Sequence, residues 1–505
     1  MAVTLFAAID VGSYEVEMKI FEFTARRGMK EIDQLRYRIE LGKDTYNTGK
    51  IGVKKLEELC RVLNDFVRVM DGYGVTAYRA CATSAVREAK NRHLIVEYVK
   101  RMTGLVIESL DNTQQHFLDY KAISFGLPDF HQNIQNGTAI ADVGSGSVQI
   151  SLFENDKMVT TQNIRIGNLR LREQVANLAR NTVHLEDLLE ELIDNELASF
   201  KKLYLKDKEI KNLVVAGGFI SELLKKQSIT ATEYQELYEH IVHKNPQEVA
   251  KTYGIPSDSA SLILPSVTIF KRLIEEIGAE MIWMPGQDLS DGIAYDYAQK
   301  QKLLRMEHTF RDDIIASARN IAKRYQCNKN YSRSLENLAL SIFDKMKKVS
   351  GMGERERLLL EIAVILQDCG KYINLSEGEE CSYNIIMATE IIGLSMKERC
   401  MIANVIRYQK RDVSWEEVTA QNGCQEEEYL LITKLTAILR VAGAVNRSYQ
   451  QKFENVRLML KEQELILTVD TQMDITLEKG MFPTKADYFE EVFHIRPVIR
   501  QKKNR

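Results

Sequence analysis

Two copies of a short Asp-Val-Gly-Ser sequence are the clearest chemical signal in the chain, and they begin at positions 10 and 142. The longer repeats DVGSYEVEMKIFE and DVGSGSVQISLFE agree at seven of thirteen positions. Each copy reads as a strand, a glycine turn and a second strand. Glycine lets the backbone approach a ligand closely, the N–H groups of the turn can point at an anion, and serine adds a hydroxyl donor. The repeat predicts two phosphate-binding turns, with candidate contacts from Gly12, Ser13, Gly144, Ser145, Gly146 and Ser147.

An aspartate ends the strand that leads into each turn, Asp10 in the first copy and Asp142 in the second. A carboxylate at that place can hold a divalent cation or orient water, and phosphoryl transfer requires both functions. The alternative is two ordinary β-hairpins, and one copy alone would favour it because short motifs are weak signals. A second copy 132 residues later, at the spacing of one α/β lobe, favours phosphate binding.

Other segments give weaker anion-binding signals. In ATSAVREAKN, Thr83 or Ser84 can cap a helix whose N-terminus, with Arg87 one turn inside, would attract an anion. VVAGGF places Gly217 and Gly218 after a strand, where the turn could close over a phosphate or nucleotide. The alternatives are an ordinary capped helix with a solvated arginine and a tight strand-to-helix turn.

A further basic segment, IRIGNLRLRE, places Gly167 beside Arg165, Arg170 and Arg172. Its arginines could bind an anion. A solvated edge strand is the preferred interpretation when this segment is taken alone.

Alternating strand and helix patterns must position these turns. TLFAAIDVGS, EVEMKIFEF and GVTAYRACATS are typical of strands, residues 53–70 carry apolar side chains at helical spacing, and 84–104 predicts one helix. Such alternation indicates α/β architecture. From 312 to 447 the patterns are almost entirely helical, and strands return after about 450. We therefore expect lobes at 1–125 and 126–300, a helical domain at 301–447 and a small α+β domain at 448–505.

Composition and charge exclude several classes of protein. The chain has 505 residues, with 68 Lys and Arg against 71 Asp and Glu, so a net charge of -3 gives no bulk basic surface for a nucleic-acid duplex. It has no apolar run of about 18 residues for a membrane span and no recognisable signal peptide. Its seven cysteines form no CxxC pair. We expect a cytoplasmic protein with reduced thiols and no membrane association.

In chain order, AAIDVGS, ATSAVREAKN, ADVGSGS, IGNLRL, VVAGGF and LSDGIAYDY resemble motifs of the exopolyphosphatase and guanosine pentaphosphate phosphatase family, Ppx/GppA. The resemblance covers nearly the whole chain. It implies an actin-like (ribonuclease H-like) two-lobed ATPase-type fold, followed by an all-α HD-like domain and a small α+β domain. It also implies that the cleft between the lobes binds polyphosphate or a guanosine phosphate. Water would attack the terminal phosphorus there with Mg²⁺ and a glutamate base, in a protein that is often a homodimer.

The chain departs from this family pattern at the catalytic glutamates. Gln115, or alternatively Gln114, takes the place of the glutamate base. Gln149 takes the place of a second acidic residue, which the resemblance implies is a metal ligand in the family. Glutamine cannot accept a proton, and losing a positioned base costs about 10²–10⁴-fold in rate. In the first turn Tyr14 and Glu15 replace Asn-Ser, and Glu15 is a further candidate for holding the metal. Mg²⁺ binding is therefore expected to be weak or absent.

These departures leave three functions open. The first is a phosphoanhydride hydrolase of the exopolyphosphatase type. The second is a catalytically impaired sensor that binds polyphosphate or guanosine polyphosphates and regulates a partner. The third is an interaction or dimerisation platform that keeps only the fold.

The helical region resembles the HD-type domain that longer family members carry, but its metal-ligand positions are altered. They hold Tyr331, Gln367, Cys381 and Gln409, and only Asp368 is retained. No histidine occurs within 309–493. Since imidazole is the usual ligand for transition metals in such a site, we expect a packed helical domain without a bound transition metal.

Overall fold

The computed structural model describes residues 3–501 apart from 25–27, 128–129, 179–184, 207, 217–222, 225, 305–307, 423, 447–451 and 453–455. The chain forms two compact units, Met1–Thr309 and Phe310–Arg505. The expected boundaries near 125 and 447 would subdivide these units and stay predictions. No helix within the described ranges has the length and apolar character needed to cross a membrane.

The first sheet of the first unit contains β1 (Thr4–Val11), β2 (Glu15–Thr24), β3 (Gly28–Arg38), β4 (Ala77–Ala82) and β5 (Ile107–Ser109). Strands β1 to β3 form an antiparallel meander, β4 and β5 join it in parallel, and the order is β3-β2-β1-β4-β5. Ala7 and Ile9 pack into the apolar core on one face of the sheet, whereas Phe6 and Ala8 pack on the other. Because both faces are covered, β1 is a continuous apolar run.

The second sheet repeats this arrangement. It contains β6 (Thr138–Val143), β7 (Val148–Glu154), β8 (Lys157–Ile164), β9 (Asn212–Ala216), β10 (Ser228–Thr230) and β11 (Met281–Trp283), in the order β10-β11-β9-β6-β7-β8. Strands β6 to β8 are an antiparallel meander, and β9 pairs with β6 in parallel. Asp10 pairs with Glu17 in the first sheet, as Asp142 pairs with Gln149 in the second. The two repeats are thus equivalent hairpins in two related lobes, which is the actin-like fold.

Helices cover both sheets of the first unit. They are α1 (Leu41–Thr48), α2 (Val53–Tyr73), α3 (Ser84–Glu88), α4 (Arg92–Thr103), α5 (Asn112–Gly126), α6 (Phe130–Gln135), α7 (Asn168–Leu178), α8 (Leu185–Phe200), α9 (Ala231–Val242), α10 (Pro246–Tyr253), α11 (Ala260–Ile277) and α12 (Leu289–Lys300). Helices α2 and α4 supply one core of the first lobe, and α12 packs against the opposite face of its sheet. Helices α8 and α11 pack on the second sheet.

The second unit is helical and ends in a small sheet. Its helices are α13 (Phe310–Arg324), α14 (Lys329–Ser350), α15 (Glu354–Leu366), α16 (Gly378–Ala388), α17 (Met396–Arg407), α18 (Trp415–Asn422), α19 (Glu426–Val445) and α20 (Thr476–Phe493). The sheet contains β12 (Val456–Lys461), β13 (Glu464–Val469) and β14 (Arg496–Gln501), and α20 connects the parallel strands β13 and β14. The predicted helical region and the return of strands after about 450 are confirmed.

Three local features differ from what the sequence patterns predict. Strand β3 was not predicted, because the apolar residues of this partly exposed edge strand, GMKEIDQLRYR, do not alternate with polar ones. The single helix over 84–104 is two helices, since Ala89 adopts extended backbone and ends α3. The segment 164–173 is not an edge strand, because α7 begins at Asn168.

Candidate active site

Both Asp-Val-Gly-Ser turns line one cavity of about 620 Å³ in the first unit, as the repeat predicts. The sequence-predicted residues on its wall are Asp10, Gly12, Ser13, Glu15, Ser84, Gln115, Asp142, Gly144, Ser145, Gly146 and Ser147. Arg87 and Gln149 are not among the described residues that line it. Gly217 and Gly218 lie outside the described residues. The structure thus brings the two hairpins and the start of α3 to a common space.

The first turn is fixed by Ser13. Its hydroxyl lies 2.7 Å from Ser84 Oγ, accepts a hydrogen bond from the Tyr46 hydroxyl at 2.8 Å and accepts another from the Ala85 N–H at 3.0 Å. Thr83 occupies the N-cap position of α3 but makes no capping hydrogen bond with its side chain. Ser13 therefore supplies the cap that the sequence assigned to Thr83 or Ser84, and it ties the turn to the helix.

The second turn lies directly against the first lobe. A Cβ atom at Gly146 would collide with the Tyr46 hydroxyl and Ser84 Oγ, so glycine is required there for the close approach. Arg170 Nε donates to the Gly146 carbonyl at 2.6 Å, and its Nη2 donates to Glu88 at 2.8 Å. One guanidinium thus joins the second turn to α3.

The arginines near α7 have protein partners. Besides the Arg170–Glu88 pair, Arg172 pairs with Glu40 at 3.0 Å and with Glu173 at 2.8 Å. These contacts favour a structural role for Arg170 and Arg172 over the anion site that the sequence offered as one interpretation.

The beginning of α5 distinguishes the two candidate glutamines. Asp111 caps α5, and Gln114 completes the capping box by accepting from the Asp111 N–H at 3.1 Å. Gln115 instead lines the cavity, where its Oε1 accepts from Arg87 Nη1 at 3.1 Å. Arg87 also donates to the Leu110 carbonyl at 3.1 Å. Gln115 is therefore the amide at the cavity, and Arg87, which does not line the cavity, fixes its orientation.

Gln149 has a different environment. It is only 2% exposed, its Nε2 donates to the Asn112 carbonyl at 3.0 Å, and it joins β7 to the start of α5. Glu17, the equivalent residue of the first hairpin, does line the cavity and accepts from Arg36 and Ser290. The carboxylate that the second hairpin lacks is thus present in the first.

Asp119 is a cavity residue that the sequence interpretation missed. It follows Gln115 by four residues and so lies one turn further along the same face of α5. It is 4% exposed, lines the cavity and shares a hydrogen bond with Asp142. The i, i+4 spacing from Gln115 was the signal that could have identified it.

The cavity is strongly acidic. Its carboxyl side chains are Asp10, Glu15, Glu17, Asp119, Asp142 and Asp288, whereas its guanidinium groups are those of Arg36 and Arg38. Arg36 is itself paired with Glu17 at 2.5 Å. Burial raises the pKa of Asp10, and the neighbouring carboxylates, first Glu17 and then Asp288, raise it further. A bare polyanion would therefore meet repulsion, which a divalent cation would relieve.

The carboxyls of Asp119 and Asp142 influence each other's protonation. Burial raises the pKa of Asp119, and the adjacent Asp142 raises it further. Burial also raises the pKa of Asp142, although the hydrogen bond from Asp119 and the charge of Arg87 oppose this rise. Without a cation the two carboxyls are expected to share a proton.

The carboxylate oxygens of the cavity fit Mg²⁺, but they form only part of the coordination sphere that Mg²⁺ needs. Asp10 Oδ1 and Asp119 Oδ2 are buried without a hydrogen-bond partner among the described atoms, and carboxylate oxygen is the ligand that Mg²⁺ prefers. No group of three or more His, Cys, Asp or Glu side chains in the described ranges is arranged to hold a metal. Mg²⁺ is commonly bound by one or two carboxylates together with substrate phosphates, so this chemistry matches phosphate-dependent binding.

In the second unit, two of the altered HD-type positions come together. Gln409 Nε2 donates to Gln367 Oε1 at 3.2 Å, and Asp368 pairs with Lys371 at 2.8 Å. Gln367 is buried at the end of α15. Two amides in mutual contact and a carboxylate held by a lysine favour structural hydrogen bonding at this place.

We expect the purified protein to contain no stoichiometric iron or manganese in its second unit, because amide side chains are poor substitutes for imidazole ligands. Elemental analysis of the full-length protein and of Asp368→Ala measures this directly. Stoichiometric metal that is lost in Asp368→Ala would contradict the expectation.

Each of the two units matches a model of a known protein family or domain. Residues 20–301 match the model of the Ppx/GppA phosphatase family, and residues 315–482 match Ppx/GppA phosphatase, domain III. The chain is 21% identical over 484 residues to guanosine-5'-triphosphate,3'-diphosphate pyrophosphatase of Vibrio vulnificus, covering 93% of this chain and 92% of the relative. It is 22% identical over 301 residues to exopolyphosphatase 1 of Mycobacterium tuberculosis, covering 56% of this chain and 86% of the relative.

Solved structures show the same fold. The Aquifex aeolicus Ppx/GppA family member aligns with a TM-score of 0.50 and 22% identity, over 61% of this chain and 100% of that chain. An exopolyphosphatase from Cytophaga hutchinsonii aligns with a TM-score of 0.52 and 17% identity, over 60% of this chain and 100% of that chain. From the paired glycine turns, the duplicated sheets and the match over more than half its length, the chain belongs to the Ppx/GppA phosphatase family.

Proposed function

We propose that the chain is a phosphoanhydride hydrolase that binds the terminal phosphates of polyphosphate or guanosine pentaphosphate in the cleft between its lobes. The observation that carries this proposal is the meeting of both Asp-Val-Gly-Ser turns at one cavity. The backbone N–H groups of the turns, with the Ser13 and Ser84 hydroxyls, supply donors for phosphate oxygens. The names of the Vibrio and Mycobacterium relatives support the same substrate class.

We propose Asp10, Asp142 and Asp119 as the carboxylates that face Mg²⁺, with Glu15 as a further candidate. Mg²⁺ supplies charge neutralisation on the phosphoryl group. Two of these carboxylates with phosphate oxygens would complete a site that the protein alone leaves incomplete. The acidic wall of the cavity supports this assignment, because it favours a phosphate ligand that enters together with its cation.

A second candidate function is a sensor that binds the same ligands without rapid turnover. Gln115 supports it, because an amide that hydrogen-bonds Arg87 and Asp142 occupies the place expected for the base. An amide keeps these contacts but takes no proton from water. The named activities of the relatives favour the hydrolase over the sensor.

We also propose a cytoplasmic homodimer without a membrane or nucleic-acid duplex as partner. The seven free cysteines support this location. The net charge of -3 argues against a nucleic-acid duplex as partner, and the family resemblance supports the dimer. We further propose that domain III is an HD-like domain whose metal ligands have been replaced, as Gln367 and Gln409 indicate.

Phosphate release from long-chain polyphosphate and guanosine pentaphosphate, measured with Mg²⁺ beside calorimetric binding, tests the proposal. We expect both ligands to bind and phosphate release by the natural protein to be slow or absent, because Gln115 takes no proton; Asp142→Asn should lose binding and any turnover. Asp156→Asn is the matched control, because Asp156 is a half-buried aspartate in the turn after β7 and is not on the cavity wall. Binding without release would establish the sensor, and neither binding nor release would overturn both candidate functions.

A further inference from the structure

Two pairs of thiols in the second unit have their sulfur atoms in contact. Cys327 Sγ lies 3.4 Å from Cys369 Sγ, and Cys400 Sγ lies 3.7 Å from Cys424 Sγ. All four are free cysteines. The members of the first pair are 42 positions apart in the sequence, so the fold itself brings them together.

The backbone holds the Cys327–Cys369 pair in place without help from the sulfur atoms. Cys327 follows the end of α13, where its N–H donates to the Ala322 carbonyl at 2.9 Å. Cys369 begins a short 3₁₀ turn, Cys369–Tyr372. Tyr325 and Tyr372 make an edge-on ring contact at 5.9 Å beside the pair. Since both segments are already fixed, little backbone movement is needed to join the sulfur atoms.

The two thiols of this pair have complementary environments. Cys327 is partly exposed, whereas Cys369 is fully buried. The hydrogen bond from Cys369 and the charge of Lys371 lower the pKa of the Cys327 thiol, against the opposing effects of burial and Asp368. The hydrogen bond with Cys327 and burial raise the pKa of Cys369. Cys327 is thus the accessible nucleophile, and Cys369 is the thiol placed to resolve its oxidised form.

The second pair lacks this complementarity. Burial, followed by the adjacent Cys424, raises the pKa of Cys400 to about 12. Burial also raises the pKa of Cys424. Neither sulfur of this pair is therefore activated as a thiolate.

We propose that Cys327 and Cys369 are a modification site at which a peroxide forms a reversible disulfide. The Cys327 thiolate attacks one oxygen of the peroxide ROOH, the O–O bond breaks, and the alkoxide takes a proton and leaves as ROH. The Cys369 sulfur then attacks the sulfenic sulfur of Cys327, the S–O bond breaks and water leaves. The two thiols lose two electrons in total, and the peroxide gains them. This chemistry is independent of the phosphate cleft.

Peroxide treatment of the full-length protein, followed by alkylation of the remaining thiols and peptide mass spectrometry, tests the proposal. We expect the peptides of Cys327 and Cys369 to be cross-linked, with a mass lower by two hydrogen atoms, and to separate on reduction. The more exposed and more acidic thiol should make this disulfide form about tenfold or more faster than a Cys400–Cys424 disulfide. Equal alkylation of Cys327 and Cys369 before and after peroxide would overturn the proposal.

Variants assign the roles of the two thiols. In Cys369→Ser, we expect the Cys327 sulfenic acid to persist and to react with dimedone, whereas Cys327→Ser should leave Cys369 reduced. Cys400→Ser is the matched control and should still form the Cys327–Cys369 disulfide. Dimedone labelling of Cys369 in preference to Cys327 would contradict the assignment. Cross-link mapping in the unsubstituted protein keeps the proposal testable if a variant fails to fold.

Discussion

Replacing Gln115 and Gln149 together by glutamate should raise phosphate release from polyphosphate by about 10²-fold or more. Gln115 lines the cavity and hydrogen-bonds Asp142, so a carboxylate there would be placed to accept a proton from the attacking water. Arg87 already donates to this side chain at 3.1 Å and would stabilise the charge. Gln149 is buried away from the wall, so Gln115→Glu should supply most of the gain.

Malachite-green phosphate release at equal protein concentration compares the natural protein, both single variants and the double variant. Gln114→Glu is the matched control, because glutamate suits the capping box at that position and leaves the cavity unchanged. A natural protein that turns over at about 1 per second or faster would contradict the loss of the base. In that case Asp119 or Glu15, both on the cavity wall, would serve as base.

The first turn sets a further condition on this result. Tyr14 lies against Leu169 and Leu262 of the second lobe, and its hydroxyl donates to Ser259 at 3.3 Å. Its ring therefore occupies space beside the cavity, and Glu15 adds a negative charge. If the double variant binds Mg²⁺ but not the phosphate chain, we expect Tyr14→Asn with Glu15→Ser to restore ligand binding.

Acidification should destabilise the first unit through His116. This side chain is 2% exposed between α5 and the second sheet, where its Nε2 lies 2.6 Å from Ser151 Oγ. Burial lowers the pKa of His116 from 6.5 to about 4. Below pH 6.5 the unfolded chain therefore binds a proton at His116 more readily than the folded chain does. The stabilisation from burying neutral His116 is complete above pH 6.5 and falls progressively toward pH 4. The total loss should be about 3 kcal/mol, at about 1.4 kcal/mol per pH unit.

Urea unfolding at several pH values between 7.5 and 4.5 measures this loss. His116→Gln cannot titrate and should show a shallower pH dependence than the natural protein. His93→Gln is the control, because His93 is exposed on α4 and should leave the dependence unchanged. The cavity carboxyls contribute equally to all three proteins and cancel in the comparison. Identical pH dependence in His116→Gln and the natural protein would contradict the prediction.

The hairpins could be predicted from the sequence because their signals are local. Strand alternation and the glycine turn lie within thirteen consecutive residues, and the repeat shows that the two hairpins are equivalent. Asp119 was missed because its partner, Asp142, is distant in the sequence and belongs to another element. The same reason hides the contacts of Tyr46 with Ser13 and of Cys327 with Cys369. Strand β3 was missed because the apolar residues of this partly exposed edge strand do not alternate regularly with polar ones.

The ion pairs between the lobes oppose separation of the two walls of the cleft. Two ion pairs join the first turns of α7 to the first lobe, Arg170–Glu88 and Arg172–Glu40. All four side chains keep some contact with solvent. The two arginine side chains are only 14% and 18% exposed, so salt screens these pairs less than it screens pairs on an open surface. Separation of the lobes at α7 would break both pairs and also the hydrogen bond from Arg170 to the Gly146 carbonyl, so a phosphate chain is expected to enter the cleft without separating the lobes there.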